Sequence, residues 1–247
     1  IFSDNDAPPN CPENVRFIKI DLAFFNQLAS KTLEMNVNLQ PSLAFKLVDL
    51  KPMYGKIFEE YITKYEFWGY CDIDIVWGNI RKFIDQQILE NFDIITTKVK
   101  KIAGHLCLFR NVPEANLIFK NIPNIAAIVE DKEVLRVDEC HFPPYLQNYV
   151  KHSLRERLSQ MFFRTQPAKL RVYWKKSLTT PGKYQYIMDD NPEHGFRWIQ
   201  GTTYNEKKEE MMYLHFHILK KSINHINFGY LDEPKELVIT KSQILMI

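Results

Sequence analysis

The sequence predicts an α/β fold in which a mixed, mostly parallel β-sheet is flanked by helices. The main observation is that strand-period and helix-period patterns of apolar residues alternate along residues 15–121. This alternation is typical of folds with a largely parallel sheet. The second observation is composition, because 247 residues that are 45% hydrophobic and 13% aromatic suffice to bury a sizeable core.

The individual elements follow in chain order from this periodicity. Residues 21–35 place Leu22, Phe25 and Leu33 at helical spacing. Pro52 stands early in a later helix, where its missing N–H is harmless. The predicted strands are 15–20, one from residue 65 that stops on two aspartates, 93–97, 105–110 and 212–219; the predicted helices are 21–35, 42–50, 52–62, 79–90 and 113–121. The proline-containing segment 140–205 is predicted to be irregular, with helix, hairpin and loops.

The charge composition excludes some partners. The chain has 32 basic and 30 acidic residues, so we expect no bulk attraction to nucleic acid or to an anionic membrane. No apolar run approaches the roughly 20 residues of a membrane span, and the four cysteines form no CxxC pair. We therefore expect a cytoplasmic protein with reduced thiols, and peripheral membrane association stays open.

The main candidate for a functional motif in this sequence is a pair of aspartates separated by one residue. Asp72 and Asp74 end an apolar strand, in which residues i and i+2 point to the same side. Two carboxylates on one side repel each other unless a proton or a cation lies between them. Mg²⁺ or Mn²⁺ is their natural partner, and such an ion can also neutralise a departing diphosphate. The alternative, a chance pair at a solvated strand end, is disfavoured by the apolar flanks.

The sequence around this pair resembles a known family. Residues 49–55 read DLKPMYG and residues 67–74 read FWGYCDID. Together they are similar to nucleotide-sugar glycosyltransferases of the GT-A fold, and among these to a bacterial polysaccharide-type group with the pattern DxKPxxG…WGYxDxD. The resemblance covers residues 2–142 and again 213–221.

For the fold, the resemblance implies a GT-A-like, Rossmann-like sheet and a single catalytic domain over residues 1–247. Residues 1–142 would form the nucleotide-sugar half. Residues 143–247 would form the acceptor-side half and the strand that closes the metal and diphosphate site. A GT-A domain normally begins with a strand and a helix that have no counterpart here, so we expect that unit upstream of Ile1.

For the cation, Mn²⁺ or Mg²⁺, the resemblance implies a set of ligands. Asp74 would be a direct ligand, and Asp72 would reach the cation or the ribose. Residues 213–221 are similar to a C-terminal segment of several GT-A families, in which a histidine completes the metal shell and a lysine contacts the diphosphate. His215 fits that pattern best, and His217 on the same strand face stays open as an alternative.

Other residues would contact the donor or the acceptor. By resemblance, the donor would be bound by Asp4, Asn5, Asp49, Lys51, Asp72, Lys220 and Lys221. From the residues alone, Asp4 and Asn5 are equally compatible with capping a terminal turn. Asp138 and Glu139 look like the acidic pair that faces the acceptor, where one carboxylate acts as general base. His105 would touch the donor or the acceptor sugar, and a structural, partly buried histidine is the alternative.

For function, the resemblance implies a metal-dependent glycosyltransferase of hexosyltransferase type. It would move a sugar from a nucleotide-sugar donor, with UDP-sugar favoured, to a saccharide or glycolipid acceptor in surface polysaccharide synthesis. A metal-dependent phosphotransferase or hydrolase stays open, although glycine is scarce, at 8 residues, and no phosphate-cradling loop is visible. A non-catalytic sugar-nucleotide-binding domain is the third possibility.

Overall fold

A computed structural model describes residues 1–98, 102–142, 170–174, 189–217, 219–229 and 232–247. Of the irregular region predicted at 140–205, residues 143–169 and 175–188 lie outside the described residues, and so does residue 218 of the predicted strand 212–219.

The helices are short, except for one α-helix of 12 residues and one 3₁₀ helix of 13 residues. The α-helices are α1 (Leu22–Leu33), α2 (Tyr54–Ile57), α3 (Glu59–Ile62), α4 (Ile80–Phe83), α5 (Gln86–Asn91), α6 (Pro113–Asn116) and α7 (Ile125–Glu130). The 3₁₀ helices are Pro41–Met53, Ile118–Asn121, Pro192–His194 and Leu219–Lys221, and Val137–His141 is a π-helix. Within the described part of the chain, every helix is too short or too polar to cross a lipid bilayer.

The strands are also short and form several sheets. They are β1 (Phe2–Ser3), β2 (Ile18–Lys19), β3 (Phe67–Cys71), β4 (Ile75–Trp77), β5 (Ile94–Thr96), β6 (Leu106–Arg110), β7 (Val172–Trp174), β8 (Phe196–Ile199), β9 (Thr202–Tyr204), β10 (Glu210–Met211), β11 (Tyr213–His215), β12 (His225–Ile226), β13 (Glu236–Ile239) and β14 (Gln243–Met246). The described strands lie in the orders β1-β2, β3-β6-β5-β7, β4-β11 and β10-β9-β8-β13-β14-β12.

The mixed α/β character is confirmed, whereas the expectation of a mostly parallel sheet is wrong for the described pairings. β1 pairs with β2, and β12 with β14, in parallel. The other described pairs with a known register are antiparallel. Part of the reason is the hairpin expected within residues 140–205, where β8 and β9 are joined by only Gln200 and Gly201, both with positive φ. A two-residue connection of this kind joins only antiparallel strands.

Helix α1 follows the sequence prediction of a helix at 21–35. The Asp21 side chain accepts a hydrogen bond from the backbone N–H of Phe24 at 2.7 Å and so caps the first turn. Phe25, Ala29 and Leu33 recur every four residues and are buried. At the other end, Glu34 adopts the left-handed conformation that ends many helices.

The described residues divide into two compact units. Unit 1 holds Ile1–Tyr70, Phe92–Thr96 and the described parts of 100–173; unit 2 holds Cys71–Asn91, 97–98 and the described residues from 174 onward. This division differs from the predicted halves at 1–142 and 143–247. The chain leaves unit 1 at the end of β3 and returns to it before β5.

In unit 1, the two segments that carry the family resemblance pack against each other. A Cβ atom on Gly55 would lie 2.2 Å from the Trp68 ring, so only glycine fits beside this indole. Trp68 also stacks on Phe109, with ring centroids 4.6 Å apart, and its Nε1–H donates to Asn116 Oδ1 at 2.6 Å. The glycine and the tryptophan of the motif therefore have a packing role.

In unit 2, a hydrophobic core lies behind β11. Its buried members are Phe196, Met211, Leu214, Phe216, Leu219 and Ile239. Leu214 and Phe216 flank His215 in sequence, and side chains alternate between the faces of a strand. Burial of these two neighbours therefore turns His215 away from the core.

Candidate metal centre

The Asp72–Asp74 pair lies in the turn between β3 and β4, and strand pairing brings a histidine to it. β11 runs antiparallel to β4, with His215 opposite Ile75. The backbone N–H of Phe216 continues this ladder by donating to the Asp74 carbonyl oxygen at 2.8 Å. Between the two aspartates, the Ile73 side chain is 99% exposed. The turn therefore directs its apolar side chain to solvent and both carboxylates towards β11.

The three side chains form a compact cluster. His215 Nε2 lies 3.3 Å from Asp72 Oδ2 and 3.4 Å from Asp74 Oδ1. One ligand atom from each residue lies within 4.8 Å of the others. All three side chains are only partly accessible to solvent. Two carboxylate oxygens and one imidazole nitrogen are a donor set that suits Mn²⁺ and, with its oxygen atoms, Mg²⁺.

A lysine offsets part of the negative charge of the cluster. Lys220 Nζ donates to Asp74 Oδ2 at 2.6 Å. Burial would raise the pKa of Asp74, but the hydrogen bond from Lys220 and the positive charges of His215 and Lys220 outweigh it and hold the pKa below its ordinary value. Asp74 is therefore ionised at neutral pH, as a metal ligand must be.

Packing of the Tyr213 side chain anchors strand β11 and so fixes the position of His215. The Tyr213 side chain is fully buried, and its hydroxyl lies 3.1 Å from Thr97 Oγ1. The Tyr213 ring also meets Trp77 edge to face, at 5.6 Å between centroids. His215 thus projects from a strand that is anchored on both of its faces.

His217 occupies a different position from His215. Its ring stacks on the His215 ring with centroids 5.2 Å apart, but His217 does not belong to the ligand cluster found among the described residues. Partial desolvation, followed by the positive charge of His215, lowers the pKa of His217. Of the two histidines that the sequence left open, the structure brings His215 to the aspartates.

The predicted donor residue Asp49 lies in the interior of unit 1. It is fully buried, pairs with Lys46 Nζ at 2.9 Å, and accepts hydrogen bonds from the backbone N–H groups of Leu135 at 2.9 Å and Val137 at 3.2 Å. Lys46 is 2% exposed and also donates to two backbone carbonyl oxygens. These contacts give Asp49 a structural role, while its predicted role in donor binding stays a prediction.

A second group of titratable residues surrounds Asp138 in unit 1. The backbone N–H of Glu139 donates to Asp138 Oδ1 at 2.9 Å, and a Cβ atom on Gly104 would lie 3.0 Å from Asp138 Oδ2 and 3.2 Å from Glu139 Oε1. Lys51 Nζ donates to the Gly104 carbonyl oxygen at 2.9 Å. The side chains whose charges couple to Asp138 are those of Lys51, Glu139, Asp49, Tyr54 and Cys107.

The environment of Asp138 gives it the character of a proton acceptor. Burial is the main cause that raises the pKa of Asp138 from 3.8 to about 6, and the neighbouring carboxylates add to it against the opposing charge of Lys51. A carboxyl with such a pKa exchanges protons near neutral pH, which suits a general base. The π-helix Val137–His141 carries both Asp138 and Glu139, and π-helical turns are frequent at functional sites.

The other residues predicted to contact a donor or an acceptor are exposed or only partly buried. Asp4 and Asn5 lie in the exposed loop after β1, where the Asn5 backbone N–H donates to Ser3 Oγ at 3.0 Å. His105 is partly buried just before β6. Lys221 is exposed on the same 3₁₀ helix as Lys220. Contacts of these four residues with a donor or an acceptor stay predictions.

Comparison with known proteins identifies a family. The sequence profile of a family described as "Family of unknown function (DUF6625)" matches residues 1–246. The chain belongs to the DUF6625 family. No curated protein and no solved structure matches it.

Two contacts in this DUF6625 member were not foreseen from the sequence. Lys220 was predicted to contact a diphosphate, but its pairing with Asp74 was not foreseen. The buried ion pair of Lys46 with Asp49 was also not foreseen, although its i, i+3 spacing is typical of an ion pair on a helix. The sequence does not show that the side chains of Lys46 and Asp49 are buried, because their burial depends on contacts with residues 128–137.

The raised pKa of Asp138 predicts a pH-dependent stability difference. Because the native pKa is about 6 and the ordinary value is 3.8, ionising Asp138 costs stability. This cost is absent below pH 3.8, grows between the two values and is complete above pH 6. Asp138→Asn should therefore raise the free energy of unfolding by about 1–3 kcal/mol at pH 7.5 and by almost nothing near pH 4.

Urea denaturation of wild type and Asp138→Asn at both pH values measures this difference. Glu13→Gln removes an exposed carboxylate elsewhere in unit 1; it is the matched control and should change stability little at either pH. An equal effect of Asp138→Asn at pH 4 and pH 7.5 would contradict the assignment.

Proposed function

We propose that this protein is a cation-dependent glycosyltransferase that moves a sugar from a nucleotide-sugar, with a UDP-sugar favoured, to a saccharide or glycolipid acceptor. The observation that carries the proposal is the cluster of Asp72, Asp74 and His215, with the Lys220 ammonium beside it. A GT-A-like arrangement is part of the proposal. It is supported by the mixed α/β architecture and by the motif residues that the sequence shares with GT-A enzymes.

The residues of unit 2 suit the leaving-group side of such a reaction. When bound, Mn²⁺ or Mg²⁺ would supply Lewis-acid stabilisation to a departing nucleoside diphosphate. Asp72, Asp74 and His215 would hold the cation. Lys220 and Lys221 lie on one exposed 3₁₀ helix and would add positive charge where the diphosphate gains negative charge.

Unit 1, taken by itself, holds a carboxylate that suits the general base of such a reaction. Transfer to a hydroxyl group requires removal of its proton, and a carboxylate with a pKa near neutrality does this best. Asp138, with a pKa of about 6, is the stronger candidate of the predicted pair. Glu139, the more accessible of the two, is suited to hydrogen-bonding an acceptor hydroxyl.

A thermal-shift screen with UDP, GDP, CMP and their sugars, each with and without Mn²⁺, tests the proposal. We expect one nucleotide to stabilise the protein only when Mn²⁺ is present, by roughly 2.7 kcal/mol at 100 times its dissociation constant. Asp74→Asn should abolish this shift. Glu233→Gln, which removes one exposed negative charge from the same unit, should retain it.

Three outcomes of the screen would contradict the proposal. They are a shift that is equal with and without Mn²⁺, a shift that Asp74→Asn retains, and no shift for any nucleotide. Hydrolysis of the nucleotide without an acceptor would instead favour a metal-dependent hydrolase. A Mn²⁺-dependent shift with no transfer to any saccharide would favour a binding domain.

A further inference from the structure

The two oxygens of the Asp74 carboxylate have different partners. Oδ1 faces the cluster, 3.4 Å from His215 Nε2. Oδ2 accepts the 2.6 Å hydrogen bond from Lys220. The Lys220 ammonium group therefore already occupies one side of the Asp74 carboxylate, which a cation would also need.

The fold fixes the backbone of Lys220 but leaves its side chain accessible. The Lys220 backbone N–H donates to the Phe216 carbonyl oxygen at 2.9 Å, and the preceding residue, Leu219, is buried in the core of unit 2. The Lys220 side chain is 55% exposed, against 16% for Asp74. An exposed ion pair of this kind adds little to stability, so the ammonium group can leave Asp74 at low cost.

A cation bound to Asp72, Asp74 and His215 would repel the Lys220 ammonium. The two positive charges would share one carboxylate at a separation of a few ångströms, and their repulsion would favour release of the solvent-accessible ammonium group. The ammonium group would then need another anionic partner. Phosphate oxygens are strong acceptors for lysine ammonium groups.

We propose that Lys220 is a counter-ion exchanged during binding: it neutralises Asp74 when the cation is absent, and it moves to the phosphate oxygens of the ligand when the cation arrives. Lys220 thus weakens binding of the cation alone and strengthens binding of the phosphorylated ligand to the cation-loaded protein. This inference rests on the proposed function and adds a coupling between its two ligands.

Two affinities measured for Lys220→Met test this exchange. Titration with Mn²⁺ alone, followed by the electron paramagnetic resonance of free Mn²⁺, should give about tenfold tighter binding than wild type. Titration with UDP at saturating Mn²⁺, followed by calorimetry, should give about tenfold weaker binding. Lys220→Arg keeps the charge and should resemble wild type in the first titration. Lys207→Met removes an exposed lysine elsewhere in unit 2 and should change neither affinity.

The opposite signs of the two effects distinguish exchange from a positioning role. If Lys220 only orients Asp74, Lys220→Met will bind Mn²⁺ more weakly, and the inference is overturned. The inference is also overturned if Lys220→Met binds Mn²⁺ with the affinity of wild type. In that case the proposed cation site is still supported if Asp74→Asn no longer binds Mn²⁺. If neither wild type nor Lys220→Met binds Mn²⁺, both the inference and the proposed function fall.

Discussion

Asp49→Ala is expected to lower the free energy of unfolding by about 3–5 kcal/mol, because it leaves a buried charge without its counter-ion. The Lys46 ammonium, 2% exposed, would lose the carboxylate 2.9 Å away. The backbone N–H groups of Leu135 and Val137 would lose their acceptor at the same time. Unsatisfied buried donors add to the cost of the unpaired charge.

Urea denaturation with a double-mutant cycle measures the coupling of this pair. The cycle consists of Lys46→Met, Asp49→Asn and the double variant. Removing both charges together should cost less than the sum of the two single changes, because the double variant leaves no unpaired charge in the interior. If Asp49→Ala lowers stability by less than about 1 kcal/mol, the buried pair does not hold residues 128–137 to the 3₁₀ helix Pro41–Met53.

Asp49 also illustrates what the sequence does not reveal. The motif DLKPMYG identifies residues of interest, but the role of each depends on atoms far away in sequence. Asp49 meets backbone N–H groups 86 and 88 residues later, and periodicity contains no information on such partners. Gly55 is a similar case, because glycine is required there by the indole of Trp68, which leaves no room for a Cβ atom.

The cluster of Asp72, Asp74 and His215 was more accessible to prediction, because its two carboxylates are close in sequence and a sequence resemblance supplied the distant histidine. The i, i+2 spacing of Asp72 and Asp74 places both carboxylates on one side, although they lie in a turn and not within a strand. The match of residues 213–221 to a known pattern selected His215, which pairs opposite Ile75. By contrast, the alternation along residues 15–121 did not reveal that β5 pairs with β6 in an antiparallel manner, because side chains alternate with the same period in parallel and antiparallel strands.

Substitutions at the cluster are expected to change Mn²⁺ affinity in a graded way. Asp74→Asn and His215→Gln each remove a ligand atom of the proposed cation site, and even residues that only support metal ligands change affinity by about 10–100-fold. We expect losses of at least about 100-fold for Asp74→Asn. His217→Gln is the matched control: its ring lies 5.2 Å from His215 but outside the cluster, so affinity should change only a few-fold.

These variants should remain folded, which separates loss of a ligand from loss of structure. Asp74→Asn removes the Lys220 ion pair, and an exposed pair contributes only about 0.2–1 kcal/mol. It also removes the repulsion between Asp74 and Asp72. Circular dichroism melting without metal should therefore give nearly the same midpoint for wild type and for all three variants. If His217→Gln lost Mn²⁺ as strongly as His215→Gln, the metal would sit on the His217 side of the stacked pair, and the cluster assignment would be wrong.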